Sequence, residues 1–257
     1  MTTESTLIFS AFIALTAAVI YAYVGWRLGK RVITSSEGRL AWVAFTLWWY
    51  GLALTTLIGG IQNLLGAIGI TSLSLFVTAT YVNIFPACIA LWGLLYYLLY
   101  LFTGNRRSLL PLTLFYVIYY ILLVYYTTAS IPEGVEVGRW STTLIYRTPI
   151  TGPFFIILVV LLFFPQIIGS IAYFTVYFRV TDPTQRYRIL LVSGSIMVWL
   201  LSPYVALAGG VTENDWWHLA SRFIGLAAPL TVLMAYLPPY WLKQRYGIIS
   251  LSDEPKQ

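Results

Sequence analysis

The chain is short of almost everything that catalytic chemistry requires. Its 257 residues include one histidine, His218, and one cysteine, Cys88. A single cysteine excludes an intrachain disulfide and a thiolate metal cluster. One histidine excludes a haem held between two facing imidazoles, and zinc hydrolase sites need several His or Asp ligands. A serine nucleophile would have only His218 as its base, and His218 falls in a polar stretch between apolar runs, as a solvated or interfacial residue does. The reading is therefore not an enzyme, with no catalytic residue, no metal ligand set and no cofactor. No lysine occurs between Lys30 and Lys243, which excludes a retinal Schiff base in the last apolar run. Charge is scarce as well: 9% of residues are charged, against roughly 25% in soluble domains. A chain so poor in charge cannot clothe a water-facing surface.

What is present is apolar. Hydrophobic residues make up 59% and aromatic residues 17% of the chain, and the mean hydropathy is +0.80. A spanning helix needs about 20 predominantly apolar residues. Seven runs reach that length: 6–26, 40–61, 73–102, 109–127, 152–178, 189–208 and 223–242. The first is not a secretory signal, because Met1-Thr2-Thr3-Glu4-Ser5 lacks a basic n-region. It ends on Trp26-Arg27, an interfacial anchor. The expected fold is an all-α, integral membrane seven-helix bundle. It forms one domain over residues 1–251, with a disordered cytoplasmic tail at 252–257 and no soluble domain on either side.

The formal charge of +6 resembles a nucleic-acid signal until the charges are placed. Arg27, Lys30, Arg31, Arg39, Arg106, Arg107, Arg179, Arg186, Arg188, Lys243, Arg245 and Lys256 all fall in segments on one side of the bundle. Only Arg139, Arg147 and Arg222 fall on the other. Cytoplasmic loops carry the Lys/Arg excess, so the N-terminus is expected outside and the C-terminus inside a cell membrane. The partner implied is the lipid bilayer, not nucleic acid. One outer segment, Gly134–Arg147, is rich in strand formers with glycines at a turn, and predicts a small β-hairpin lid. A second outer loop is expected over 209–221, carrying Glu213, Asp215, Trp216, Trp217 and His218.

No ionisable side chain falls inside any of the seven runs as drawn, which argues against proton relays and ion-coupled transport. Amides, hydroxyls and indoles do fall inside them. Asn83 and Gln166 lie some ten to fourteen residues into the third and fifth runs, ~15–21 Å deep at 1.5 Å per residue. Trp48 and Trp49 in the second run, and Trp199 and Ser202 in the sixth, are expected at comparable depth. These six residues form the candidate ligand-binding set. Asn83 and Gln166 would supply directional hydrogen bonds, and the tryptophans apolar walls. Pro86, Pro165, Pro203 and Pro229 fall within runs, where each frees a backbone carbonyl. Tyr119 and Tyr120 are expected to bond a neighbouring helix.

Several stretches resemble the seven-transmembrane sensor region of bacterial histidine kinases and cyclases. They are Tyr100-Leu101-Phe102-Thr103-Gly104-Asn105-Arg106-Arg107, Gln185-Arg186-Tyr187-Arg188-Ile189-Leu190-Leu191 and Tyr240-Trp241-Leu242-Lys243-Gln244-Arg245-Tyr246-Gly247-Ile248. The resemblance implies a receptor-like sensor that binds a small apolar or amphipathic ligand, such as a lipid. Because this chain carries no kinase or cyclase, its signal would leave through a separate cytoplasmic or membrane protein partner. Two other classes stay open. One is a facilitative transporter similar to PQ-loop proteins, on the single pair Pro165-Gln166. The other is a structural subunit of a larger membrane complex.

Overall fold

The computed structural model describes residues 3–34, 38–147, 164, 167–212 and 215–248. The chain is almost entirely helical: α1 (Thr3–Thr34), α2 (Arg39–Ala67), α3 (Leu73–Thr103), α4 (Leu109–Ala129), α5 (Ile167–Val176), α6 (Pro183–Thr212), α7 (Asp215–Tyr236) and a short α8 (Tyr240–Tyr246). One hairpin, β1 (Pro132–Val137) with β2 (Thr142–Tyr146), interrupts the helices. Among the described residues, α1 to α4 and α7 are long and apolar enough to cross a bilayer. The 30 residues of α6 would extend ~45 Å at 1.5 Å per residue.

The first four runs recur as helices, the third and fourth with nearly the expected limits, the first reaching further, to Thr34, and the second to Ala67. The fifth run is described only over 164 and 167–178, so Pro165 and Gln166 lie outside the described residues, as does the 252–257 tail. The last two elements require a correction. The expected loop at 209–221 is largely helix: α6 runs to Thr212 and α7 begins at Asp215. Gly209-Gly210 does not break α6, because a membrane helix tolerates glycine where its own hydrogen bonds are the only ones on offer. The seventh helix thus starts eight residues earlier than drawn from sequence. It ends at Tyr236, ahead of the proline pair Pro238-Pro239, which cannot continue it. Arg222 consequently sits inside the apolar helical stretch Trp216–Tyr236, and the expectation that no ionisable residue enters a run is overturned.

α1 packs along α2 and α7, α2 along α3, α6 along α7, and α4 along α3. Small residues set the closest approaches. A Cβ at Gly51 would come within 2.6 Å of the Pro86 carbonyl oxygen and 2.8 Å of the Ala90 Cβ. At Gly93 it would collide with the Ala44 carbonyl oxygen. Only Tyr116 and Tyr119 of α4 are buried. Its exposed side carries Leu110, Leu114, Val117, Ile118 and Ile121, a face suited to lipid. Tyr119 does lie in the α3–α4 cluster with Cys88, Leu91 and Leu95, while Tyr120 only packs against its edge.

The hairpin forms as the turn chemistry predicts, pairing Val135 with Leu144 and Val137 with Thr142. It sits over the ends of α1, α2, α3 and α7, the end where Arg147 pairs with Glu133. Burial raises the Tyr146 phenol above its ordinary value, and nearby Tyr81 adds to the effect.

Candidate functional site

The six candidate residues are distributed over two levels. Trp48 and Trp49 are fully buried in the main core. Their rings lie 3.9 Å apart, and Phe45 stacks on Tyr97 at 4.1 Å beside them. Tyr21 of α1 stacks on Trp49 at 5.8 Å. This aromatic block lies towards the end opposite the hairpin. The backbone N of Trp48 is 3.0 Å from where a Gly93 Cβ would be. Gly93 is ten residues beyond Asn83 along α3, ~15 Å at 1.5 Å per residue. Trp48 and Trp49 therefore do not share a level with Asn83, and the expectation of comparable depth is corrected. The reason is that α2 runs opposite to α3: Trp48 lies nine residues from the start of α2 and meets the last third of α3.

Ser202 lies in the hairpin half, whereas Trp199 lies deeper, level with the middle of α3. Trp199 is half-buried and packs against both the main core and the α3–α4 cluster of Cys88, Leu91, Leu95, Tyr116 and Tyr119. Ser202 and Ser221 form a reciprocal clasp between α6 and α7. Ser202 Oγ donates to the Ser221 carbonyl at 3.0 Å, and Ser221 Oγ donates to the Ser202 carbonyl at 2.9 Å. Ser202 thus spends its hydroxyl on helix–helix adhesion.

Asn83 differs from these. Its Oδ1 is buried and accepts no hydrogen bond among the described residues. The indole N–H groups of Trp48 and Trp49 and the Tyr21 hydroxyl are likewise buried without a partner. An unmet polar group out of reach of water costs about 1–3 kcal/mol. Such groups in a native core call for a specific explanation. The amide oxygen of Asn83 has the strongest claim, because carbonyl oxygens accept readily and a guest donor would satisfy it.

Two apolar grooves flank the Phe85–Ile89 ridge of α3. One, of about 240 Å³, is lined by Leu47, Gly51, Leu54, Val82 and Pro86 of α2 and α3. The other, of about 180 Å³, is lined by Cys88, Trp92, Thr113, Tyr116 and Tyr120 of α3 and α4. Trp92 Nε1 closes the second by donating to Thr113 Oγ1 at 3.1 Å.

A polar cluster that the sequence reading did not assemble lies beneath the hairpin. Asn63 Oδ1 accepts from the Thr142 N–H at 2.9 Å, and its Nδ2 donates to Ser10 Oγ at 3.4 Å. Ser10 Oγ donates to the Trp140 carbonyl at 3.1 Å. Arg222 Nη2 donates to the same carbonyl at 2.8 Å. The Trp140 ring stacks on His218 with centroids 5.9 Å apart and 15° between planes. Four elements, α1, α2, α7 and the hairpin, converge here. The one sequence signal for it was the i, i+4 spacing of His218 and Arg222, which puts both on one face of a helix. That signal was invisible while 209–221 was read as loop. Among the described residues no group of three or more His, Cys, Asp or Glu side chains gathers to hold a metal. No family model, curated protein or solved structure matches the chain.

Proposed function

We propose that this is a seven-span membrane protein, N-terminus outside, acting as a receptor-like sensor for a small apolar or amphipathic ligand. In this reading the segment 152–178 and α6 supply the fifth and sixth spans, beside the five of α1 to α4 and α7. Both are free of charged residues between their flanking arginines, Arg188 for α6 and Arg147 and Arg179 for the segment. The basic residues then line the cytoplasmic rim and the hairpin caps the outer face. The ligand lies in the outer half of the bundle, level with Asn83 and above Trp199, and Gln166, outside the described residues, is the second amide expected to serve it. Trp48 and Trp49 form the rigid block beneath it, not its walls.

The observation that carries this reading is the buried, partnerless amide oxygen of Asn83. Interhelical glue would have found its partner, as Ser202 did. Ligand binding would bias the cytoplasmic ends bearing Arg179, Arg186 and Arg188 towards a partner protein. It does so only by its differential affinity for two arrangements.

A second reading, a structural subunit of a larger membrane complex, is favoured by one feature: the broad exposed apolar side of α4. The experiment that separates the two is ligand binding and thermal unfolding of Asn83→Leu and Gln166→Leu in purified protein. The sensor reading expects both to lose binding of small amphiphiles. If Asn83→Leu only raises the unfolding temperature and binding does not change, the amide is an ordinary buried cost and the subunit reading takes over.

A further inference from the structure

Arg222 is a cation in an unusual place. It lies two turns into α7, in a helical stretch apolar enough to cross a membrane, and is part-buried under the hairpin. A buried charge demands a partner of opposite sign or a full set of hydrogen bonds. Its protein partner among the described residues is a single neutral oxygen, the Trp140 carbonyl, which Ser10 also uses. Guanidinium carries five N–H donors in a planar fork that matches carboxylate or phosphate oxygens two at a time. None of its nitrogens is among the sealed, partnerless atoms of the bundle, so the unused donors keep some exposure. His218, one turn earlier on the same face, stacks on the ring of Trp140, the residue whose carbonyl Arg222 bonds. Of the hairpin's carboxylates, Glu133 pairs with Arg147.

We propose that Arg222 captures the anionic group, carboxylate or phosphate, of an amphipathic molecule seated beneath the hairpin. This deepens the sensor reading and rests on it, since the tail of such a molecule would extend towards Asn83. The head group supplies the counter-charge missing among the described residues, and the hairpin orients the guanidinium through the Trp140 carbonyl, itself fixed by Ser10 and by the Asn63–Thr142 bond. The anion comes either from a single-chain amphiphile arriving from water or from the head group of a bilayer lipid.

The test uses the full chain in maltoside micelles, which bring no anion. Binding of radiolabelled decanoate is compared with decanol, and phosphatidylglycerol is added as competitor. Decanoate is expected to bind saturably and about tenfold more tightly than decanol, the size of one charge-assisted contact. Arg222→Gln, whose amide can still donate to the Trp140 carbonyl, should erase that preference and leave decanol unchanged. Arg222→Lys should keep most of it. Displacement of decanoate by phosphatidylglycerol assigns the site to lipid, and its failure assigns it to the free amphiphile; either supports the anion site. Equal binding of decanoate and decanol by the wild type overturns the proposal but leaves an apolar pocket standing. Binding of neither overturns both. Unchanged decanoate preference in Arg222→Gln, with the hairpin more open to protease, reduces Arg222 to a staple and also overturns it. If Arg222→Gln does not fold, the wild-type preference together with Arg222→Lys decides.

Discussion

Asn63 on α2 accepts a hydrogen bond from the backbone N–H of Thr142 at 2.9 Å, seventy-nine residues later in the chain. The same amide donates to Ser10 on α1, so one side chain fixes the hairpin to two helices. Gly66, one turn further along α2, makes room for this contact, because a Cβ there would overlap Thr142 Oγ1. The hairpin is thus held by buried polar contacts as well as by its own ladder.

Asn63→Leu should therefore release the hairpin. The substitution leaves the Thr142 N–H buried and unmet, at a cost of about 1–3 kcal/mol. Expected are faster cleavage between Gly138 and Ser141 and a lower unfolding temperature. Unchanged proteolysis would show that strand pairing alone seats the hairpin.

The contact between α2 and α3 gives a sharper test of packing. Gly93→Ala places a methyl group against the Ala44 carbonyl, and backbone cannot yield as a flexible side chain does. Overpacking of this kind costs about 1–3 kcal/mol. Gly59 lies on α2 with nothing within 4 Å of its notional Cβ, so Gly59→Ala serves as the control and should be neutral or slightly stabilising. Thermal unfolding of the two variants in the same detergent makes the comparison. Equal behaviour would mean that the helices are not in the close register described.

These particulars show which parts were legible in the sequence. The existence and order of the first four helices were, because apolar runs bounded by charge or by Gly-Asn and Thr-Ser leave little choice in a bilayer, although α1 and α2 run well past their apolar limits. The hairpin was, from alternating strand formers around Gly138. The start of α7 was not: Asp215-Trp216-Trp217-His218 is polar and aromatic, reads as an interfacial loop, and is helical in the structure. That single misreading hid Arg222. The relative levels of Trp48 and Asn83 were also illegible, since depth counted along each helix ignores how far the antiparallel partner is shifted. The contrast between Ser202, which bonds Ser221, and Asn83, which bonds nothing through Oδ1, belongs to packing and leaves no trace in the pattern of residues.

Orientation is open to a direct test that exploits the lone cysteine. Cys88 is 5% exposed in the α3–α4 cluster, so the wild type should react little with a membrane-impermeant maleimide and provides a dark background. Probes belong on exposed positions at the two ends. Glu136 on β1 is exposed and lies on the hairpin. Thr103 is exposed at the last residue of α3, beside the basic pair Arg106 and Arg107. Gly104 is the wrong choice, because its φ of 61° lies in the left-handed region that a cysteine adopts only with strain. If the basic end faces the cytoplasm, Glu136→Cys should label in intact cells and Thr103→Cys only after the membrane is opened. Labelling of Thr103→Cys from outside would invert the bundle. The hairpin and Arg222 would then face the cytoplasm, and any ligand they hold would have to come from there.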